Sequence, residues 1–252
     1  MEKPVISLIC SAIRTKLWLG FYGRLTDNET PFEIVFIGPK KPDFQLPENF
    51  RYIQSDVKPE QCLEAASRMA EGEYLLPAPD DVVYSDHALD RLLAAFLKAK
   101  NDLVVISMIN RKAQMRSKEH RFIPSDPTSP RMPFFGGMVK KSVWRGLGGL
   151  DNRFVSSHGG TDMTLRILEQ GGSVVYAEDV FIDEIVKSGP RLWMTYGRKF
   201  DHPFMMRLWS TRSWKHGFRR RFSKVRRDIL HPYKDDRILD ASQGFTGSWR
   251  GK

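Results

Sequence analysis

Two adjacent carboxylates, Asp80 and Asp81, follow a short apolar run, Tyr74-Leu75-Leu76. Mg²⁺ or Mn²⁺ needs only one or two protein carboxylates where phosphate oxygens and water complete its octahedron. A cation held by such a pair can neutralise a departing diphosphate. The plainer alternative is an N-cap and a first-turn acid at a helix start, because Leu89, Leu92, Leu93 and Phe96 mark a helix shortly afterwards. A third acid, Asp162, opens the helical stretch Thr161 to Gln170 and carries the same capping alternative. His158 lies four residues before Asp162, and His202 precedes Pro203.

The elements that must position these groups alternate along the chain. Val5 to Cys10 is a nearly continuous, β-branched apolar run, as a strand covered on both faces requires. Leu17, Phe21, Tyr22 and Leu25 recur at helical spacing, and Phe32 to Ile37 forms the next strand before Gly38-Pro39. Phe50 to Ile53, a helix from Pro59 to Gly72, Tyr74 to Leu76, the helix around Leu92, and Asp102 to Met108 continue the pattern. A polar segment with four prolines runs from Asn110 to Pro133, then a strand Phe134 to Lys140, a Gly-rich turn Leu147 to Phe154, the Asp162 helix, and a strand Ser173 to Ala177. The expected fold class is α/β, with a mostly parallel central sheet flanked by helices. Ligands of such sheets bind beyond the carboxyl ends of the strands. There the loops Ser11 to Arg14, Gly38 to Lys40 and Pro77 to Asp81 should converge.

Composition narrows the function classes. The chain has 252 residues and a net charge of +10, enough for one large domain. The charge is uneven: residues 187 to 252 hold 17 Lys+Arg against 5 Asp+Glu, whereas residues 1 to 186 are nearly neutral. The expected division is therefore a body, 1–186, and a basic helical C-terminal extension, 187–252. In the extension Trp214, Phe218, Phe222, Val225 and Ile229 recur every three or four residues among seven Lys and Arg. Such a helix either lies on an anionic membrane surface, with contact expected through 203–230, or packs on its own domain. The near-neutral body and the lack of a nucleic-acid motif argue against a nucleic-acid partner. Cys10 and Cys62 fall at buried positions of the pattern, which suggests a reducing compartment. No signal-peptide core and no run of about 20 apolar residues is present, so a cytoplasmic location is expected, possible contact with the inner face of a membrane included.

Four segments in order resemble the family-2-like glycosyltransferases of the GT-A fold, over roughly residues 4 to 180. P-V-I-S-L-I-C-S-A-I-R resembles the family's first strand and nucleotide loop, and A-E-G-E-Y-L-L-P-A-P-D-D its approach to the DxD motif. F-F-G-G-M-V-K-K-S-V-W-R-G-L-G-G-L-D-N-R-F resembles the acceptor-side strand and turn, and G-G-T-D-M-T-L-R-I-L-E-Q-G-G the helix bearing the catalytic acid. The resemblance implies a GT-A-like domain that moves a sugar from a nucleotide-diphosphate sugar, a UDP-sugar first among candidates, to an acceptor hydroxyl with inversion. A lipid-linked or surface-polysaccharide glycan is the implied acceptor. Asp80 and Asp81 would hold Mn²⁺ or Mg²⁺, with Asp80 also serving the donor. Ser11, Arg14, Gly38, Lys40 and Asp56 would contact the nucleotide.

Two departures from the family pattern stand out. The first Asp of the usual D-A-D-D falls at Ala78. In addition, aligning the later helix on its start makes Asp162 the base, whereas aligning it on Leu165-Arg166 puts Gly159-Gly160 at the family's Glu-Asp and leaves Asp162 a secondary carboxylate. Asp162 is the expected base and His158 the reserve. The competing reading is a non-catalytic GT-A-like protein that binds nucleotide sugars or glycans. A nucleotidyltransferase would need a Gly-rich, Arg-Lys-containing loop after the first strand, and none is present.

Overall fold

The computed structural model describes residues 2–55, 57–99, 101–112, 137–185, 197 and 199–209. The first apolar run forms β1 (Ile6–Ser11), the middle strand of a five-stranded sheet of order β3-β2-β1-β4-β7. Its neighbours are β2 (Phe32–Gly38) and β4 (Tyr74–Pro77), both parallel to it, with β3 (Phe50–Gln54) parallel to β2. The edge strand β7 (Val139–Lys140) runs antiparallel to β4.

Strand periodicity sorts the core into two layers. Ile6, Leu8, Cys10, Ile34, Phe36 and Leu76 face α1 (Trp18–Gly23) and α3 (Ala88–Lys98), where Trp18, Phe21, Leu89, Leu92 and Phe96 are buried with them. Ile9, Val35, Ile37 and Leu75 point the other way, against Cys62 and Ala66 of α2 (Pro59–Met69), Trp144 of α4 (Lys141–Gly146), and Met163 and Ile167 of α5 (Gly159–Glu169). Full burial of each large apolar side chain contributes about 1.5–3 kcal/mol. Both faces are covered, so these strands read as unbroken apolar runs. The chain is α/β and GT-A-like, with a mostly parallel central sheet between helices.

A second sheet, of order β5-β8-β6, was not expected. β6 (Val104–Lys112) lies parallel to β8 (Ser173–Glu184), which continues seven residues past the expected end at Ala177. The register shift between Ser107 and Ile109 lets the long strand follow β6. β5 (Val82–Tyr84) pairs antiparallel with the far end of β8. A bridge between Ile106 and Met138 joins the two sheets beside β7.

The described part of the 187–252 segment packs on the body. Met205 and Leu208 of α6 (His202–Leu208), with Trp209, are buried against Phe154 and Leu165. The expected tail helix from Trp214 to Ile229, and residues 113–136 of the proline-containing segment, lie outside the described residues. Among the described residues no helix is long and apolar enough to cross a membrane. Cys10 and Cys62 are free and buried.

Candidate functional site

β1 and β4 are parallel neighbours, so the loops beyond their carboxyl ends leave the sheet together. Asp80 ties them to each other. Its Oδ2 accepts the backbone N–H of Ile13 at 2.7 Å, that of Arg14 at 2.6 Å and the Trp18 indole N–H at 3.3 Å; its Oδ1 accepts Arg14 Nη1 at 2.6 Å. The carboxylate is almost wholly buried. Its neighbour Asp81 is part-exposed, and its Oδ2 lies 3.0 Å from Arg14 Nη2. One guanidinium thus spans both acids. The pair caps no helix: α3 begins at Ala88 behind His87, and its first-turn acid is Asp90. Asp80 and Asp81 instead form the turn from β4 into β5.

The β2 loop joins the same edge, because a Cβ on Gly38 would overlap the Ala12 carbonyl. Only glycine allows that approach. The Tyr52 hydroxyl and the Ser55 amide both donate to the Gly38 carbonyl, at 2.6 and 2.9 Å. Ser11 Oγ is buried with no hydrogen-bond partner among the described residues. Lys40 is exposed beyond β2, and Asp56 lies outside the described residues. Ala78, where the family's first Asp would fall, sits in the apolar layer with Leu76 and Trp18, a place where a carboxylate would lack water.

Electrostatics distinguish the two acids. Burial raises the Asp81 pKa; Arg14 lowers it, while Asp80 and Glu184 raise it further, leaving it above the ordinary range. Glu184 enters because β5 aligns it with Val82, and the Ile185 amide donates to the Asp81 carbonyl at 2.9 Å. Burial disfavours the Arg14 charge, but Asp80 and Asp81 outweigh it and its pKa is raised. Carboxylates outnumber cations in this group of four, and hard oxygen donors with surplus negative charge suit Mg²⁺ or Mn²⁺. Asp81 is the acid that fits such an ion. Asp80 has one oxygen committed to three N–H groups, so its part is to hold the loop. Among the described residues no group of three or more His, Cys, Asp or Glu side chains is placed to hold a metal by itself, so phosphate and water would complete the shell.

On the far side of the sheet, Asp162 is fully buried. Its Oδ2 accepts Arg166 Nε at 2.9 Å, and its Oδ1 accepts the Trp209 indole at 2.9 Å. Arg166 reaches on to the carbonyls of Leu147 and Gly149, both at 2.7 Å. A carboxylate sealed this way joins the helix to the Gly-rich turn and is not presented to a substrate hydroxyl. These contacts suit the register in which Asp162 is the secondary carboxylate. Asp151 fixes its turn through Arg153, whose Nε and Nη2 donate to it at 2.9 and 2.6 Å.

Glu60 and Asp201 carry no signal in the sequence. Glu60 looks like an ordinary first-turn acid after Pro59, yet it is buried beside the start of α5. A Cβ on Gly159 would stand 2.5 Å from Glu60 Oε2. Burial, then the Asp201 and Asp162 charges, raise its pKa to about 8 against the pull of the Gly159 amide. Asp201 accepts the amides of Val155, Ser156 and Ser157 at 2.8–2.9 Å and so holds the loop before His158. His158 takes the left-handed conformation at the α5 N-cap, with its ring centroid 5.4 Å from that of His202. Burial and then His202 lower its pKa to about 4.

No protein-family model matches the chain, and no curated protein matches it. Solved structures do. S. aureus TarS aligns with a TM-score of 0.55 at 14% identity over 72% of this chain. Residues 1–349 of TarS in complex with UDP-GlcNAc align with a TM-score of 0.53 at 14% identity over 73%. The mannosyltransferase PcManGT from Pyrobaculum calidifontis, in complex with GDP-Man and Mn²⁺, aligns with a TM-score of 0.56 at 14% identity over 75%. The chain spans between 37% and 59% of the length of these structures. Identities this low establish a shared fold.

Proposed function

We propose that the chain is a glycosyltransferase that moves a sugar from a nucleotide-diphosphate sugar, UDP-sugars first, to an acceptor hydroxyl. One observation carries the reading: the Ser11 to Arg14 loop is pinned by Asp80 beside a part-exposed Asp81, at the carboxyl ends of parallel strands. Two of the structures sharing this fold hold UDP-GlcNAc and GDP-Man. In the reaction the acceptor oxygen bonds to the anomeric carbon, and the bond from that carbon to the diphosphate oxygen breaks with its electron pair leaving on the diphosphate. Single displacement inverts the anomeric centre. Ser11 Oγ and the free N–H groups of Arg14 are donors for phosphate or nucleotide oxygens, and Lys40 adds charge at the rim. Asp81 would hold a divalent cation, which supplies charge neutralisation to the diphosphate. The acceptor proton falls to His158, which stands at the N-cap of α5 and is neutral at physiological pH.

The implied acceptor is a glycan, lipid-linked or part of a surface polysaccharide, reached from the cytoplasmic face of a membrane. Contact through 203–230 would use residues past 209, because Met205 and Leu208 are already buried on the body. A second reading, nucleotide-sugar binding without transfer, is favoured by the sealed Asp162 and the glycines at 159 and 160. Incubation with UDP- and GDP-sugars, with and without Mn²⁺, separates the two. Transfer releases nucleoside diphosphate and Asp81→Ala stops it; binding without release in any combination supports the second reading.

A further inference from the structure

The Arg14 guanidinium stands where a cation shared by Asp80 and Asp81 would stand, with Nη1 2.6 Å from one acid and Nη2 3.0 Å from the other. The two ends of this residue are held differently. Its backbone amide is bound to Asp80 Oδ2, while its side chain is 37% exposed. The head can therefore leave while the loop stays in place. Asp80 would retain three N–H donors after that departure, those of Ile13, Arg14 and Trp18. Asp81 would lose the guanidinium, its counter-ion. The exchange is uneven in a useful direction: a dication replacing one positive charge makes the edge less negative, and the freed guanidinium can pair bidentately with phosphate oxygens.

We infer that Arg14 is an internal counter-ion competing with a divalent cation for Asp81, so that the unliganded chain resists metal and an arriving diphosphate opens the seat by drawing Arg14 away. The competition stands on the chain alone; the role of the diphosphate rests on the donor reading above. Mn²⁺ binding to the full chain, followed by loss of the free-ion electron paramagnetic resonance signal, tests both parts. Arg14→Gln should tighten Mn²⁺ binding about tenfold or more, as expected for losing a cation within about 4 Å. Arg14→Lys, which keeps a charge, should stay near wild type, and Arg14→Gln with Asp81→Asn should lose the gain. Equal or weaker Mn²⁺ binding by a folded Arg14→Gln protein, checked by circular dichroism, overturns the competition. Adding UDP should tighten Mn²⁺ in wild type more than in Arg14→Gln. A tenfold gain in Arg14→Gln with no effect of UDP on either protein upholds the competition and overturns the diphosphate's part.

Discussion

Among the described residues, two groups share one composition: an aspartate held by an arginine and a tryptophan indole. In the first, Asp80 takes Arg14 and Trp18; in the second, Asp162 takes Arg166 and Trp209. The first opens at the strands' carboxyl edge, where the Arg14 side chain is 37% exposed and a second acid stands beside it. The second is closed, with the Arg166 side chain 5% exposed and its Nη1 and Nη2 donating to carbonyls. Residue type does not separate them. What differs is whether the cation can leave: Arg14 has water to swing into, whereas Arg166 is caged by groups that would be stranded without it.

The largest expected effect tests the closed group. Asp162→Ala leaves a buried guanidinium uncompensated and should cost about 3–5 kcal/mol in urea unfolding, whereas Asp81→Ala, losing a part-exposed pair, should cost under about 1 kcal/mol. An Asp162→Ala protein of wild-type stability that released no nucleoside diphosphate would reverse the comparison and make Asp162 the base. Next, Asp81→Ala should lower nucleoside diphosphate release by about 10²-fold or more, the scale on which electrostatic stabilisation of a leaving group acts. Gly159→Ala should then destabilise by about 1–3 kcal/mol through overpacking against Glu60. A double variant adding Glu60→Ala should recover most of that loss, and simple additivity in the unfolding energies would break the proposed contact.

The last effect is a pH slope. The folded Glu60 pKa is raised from 4.5 to about 8, so the fold favours its neutral form. Its stabilising contribution is complete below about pH 4.5, shrinks as the pH rises, and is gone above about pH 8. Glu60→Gln should remove this slope, with a Tm gain over wild type that is larger at about pH 8.5 than at about pH 5. Parallel Tm profiles of the two proteins would place the Glu60 charge outside the buried cluster.

Much of the layer structure was legible from the chain. β1, β2 and β4 are apolar runs because helices cover both faces, and α2, α3 and α5 declare themselves by apolar spacing. β5 was not legible: three residues carry too little periodicity, and their pairing is with β8, about a hundred residues later. α4 was missed because its six residues follow directly on β7. In the site, the convergence of the Ser11, Gly38 and Asp80 loops was readable. That Asp80 turns inward and Asp81 outward was not, and neither was Glu60 beside Gly159.

The sequence by itself determined that parallel strands deliver two acids, an arginine and a serine to one edge, because strand periodicity and burial are local patterns written in neighbouring residues. Only the tertiary structure decided which acids are satisfied and which remain available. The donors that settle it come from far along the chain, 66 residues away for Arg14 on Asp80 and 47 for Trp209 on Asp162. A carboxylate's chemistry depends on that company: with its lone pairs filled it holds the fold together, and with a cation that can leave it can serve a ligand.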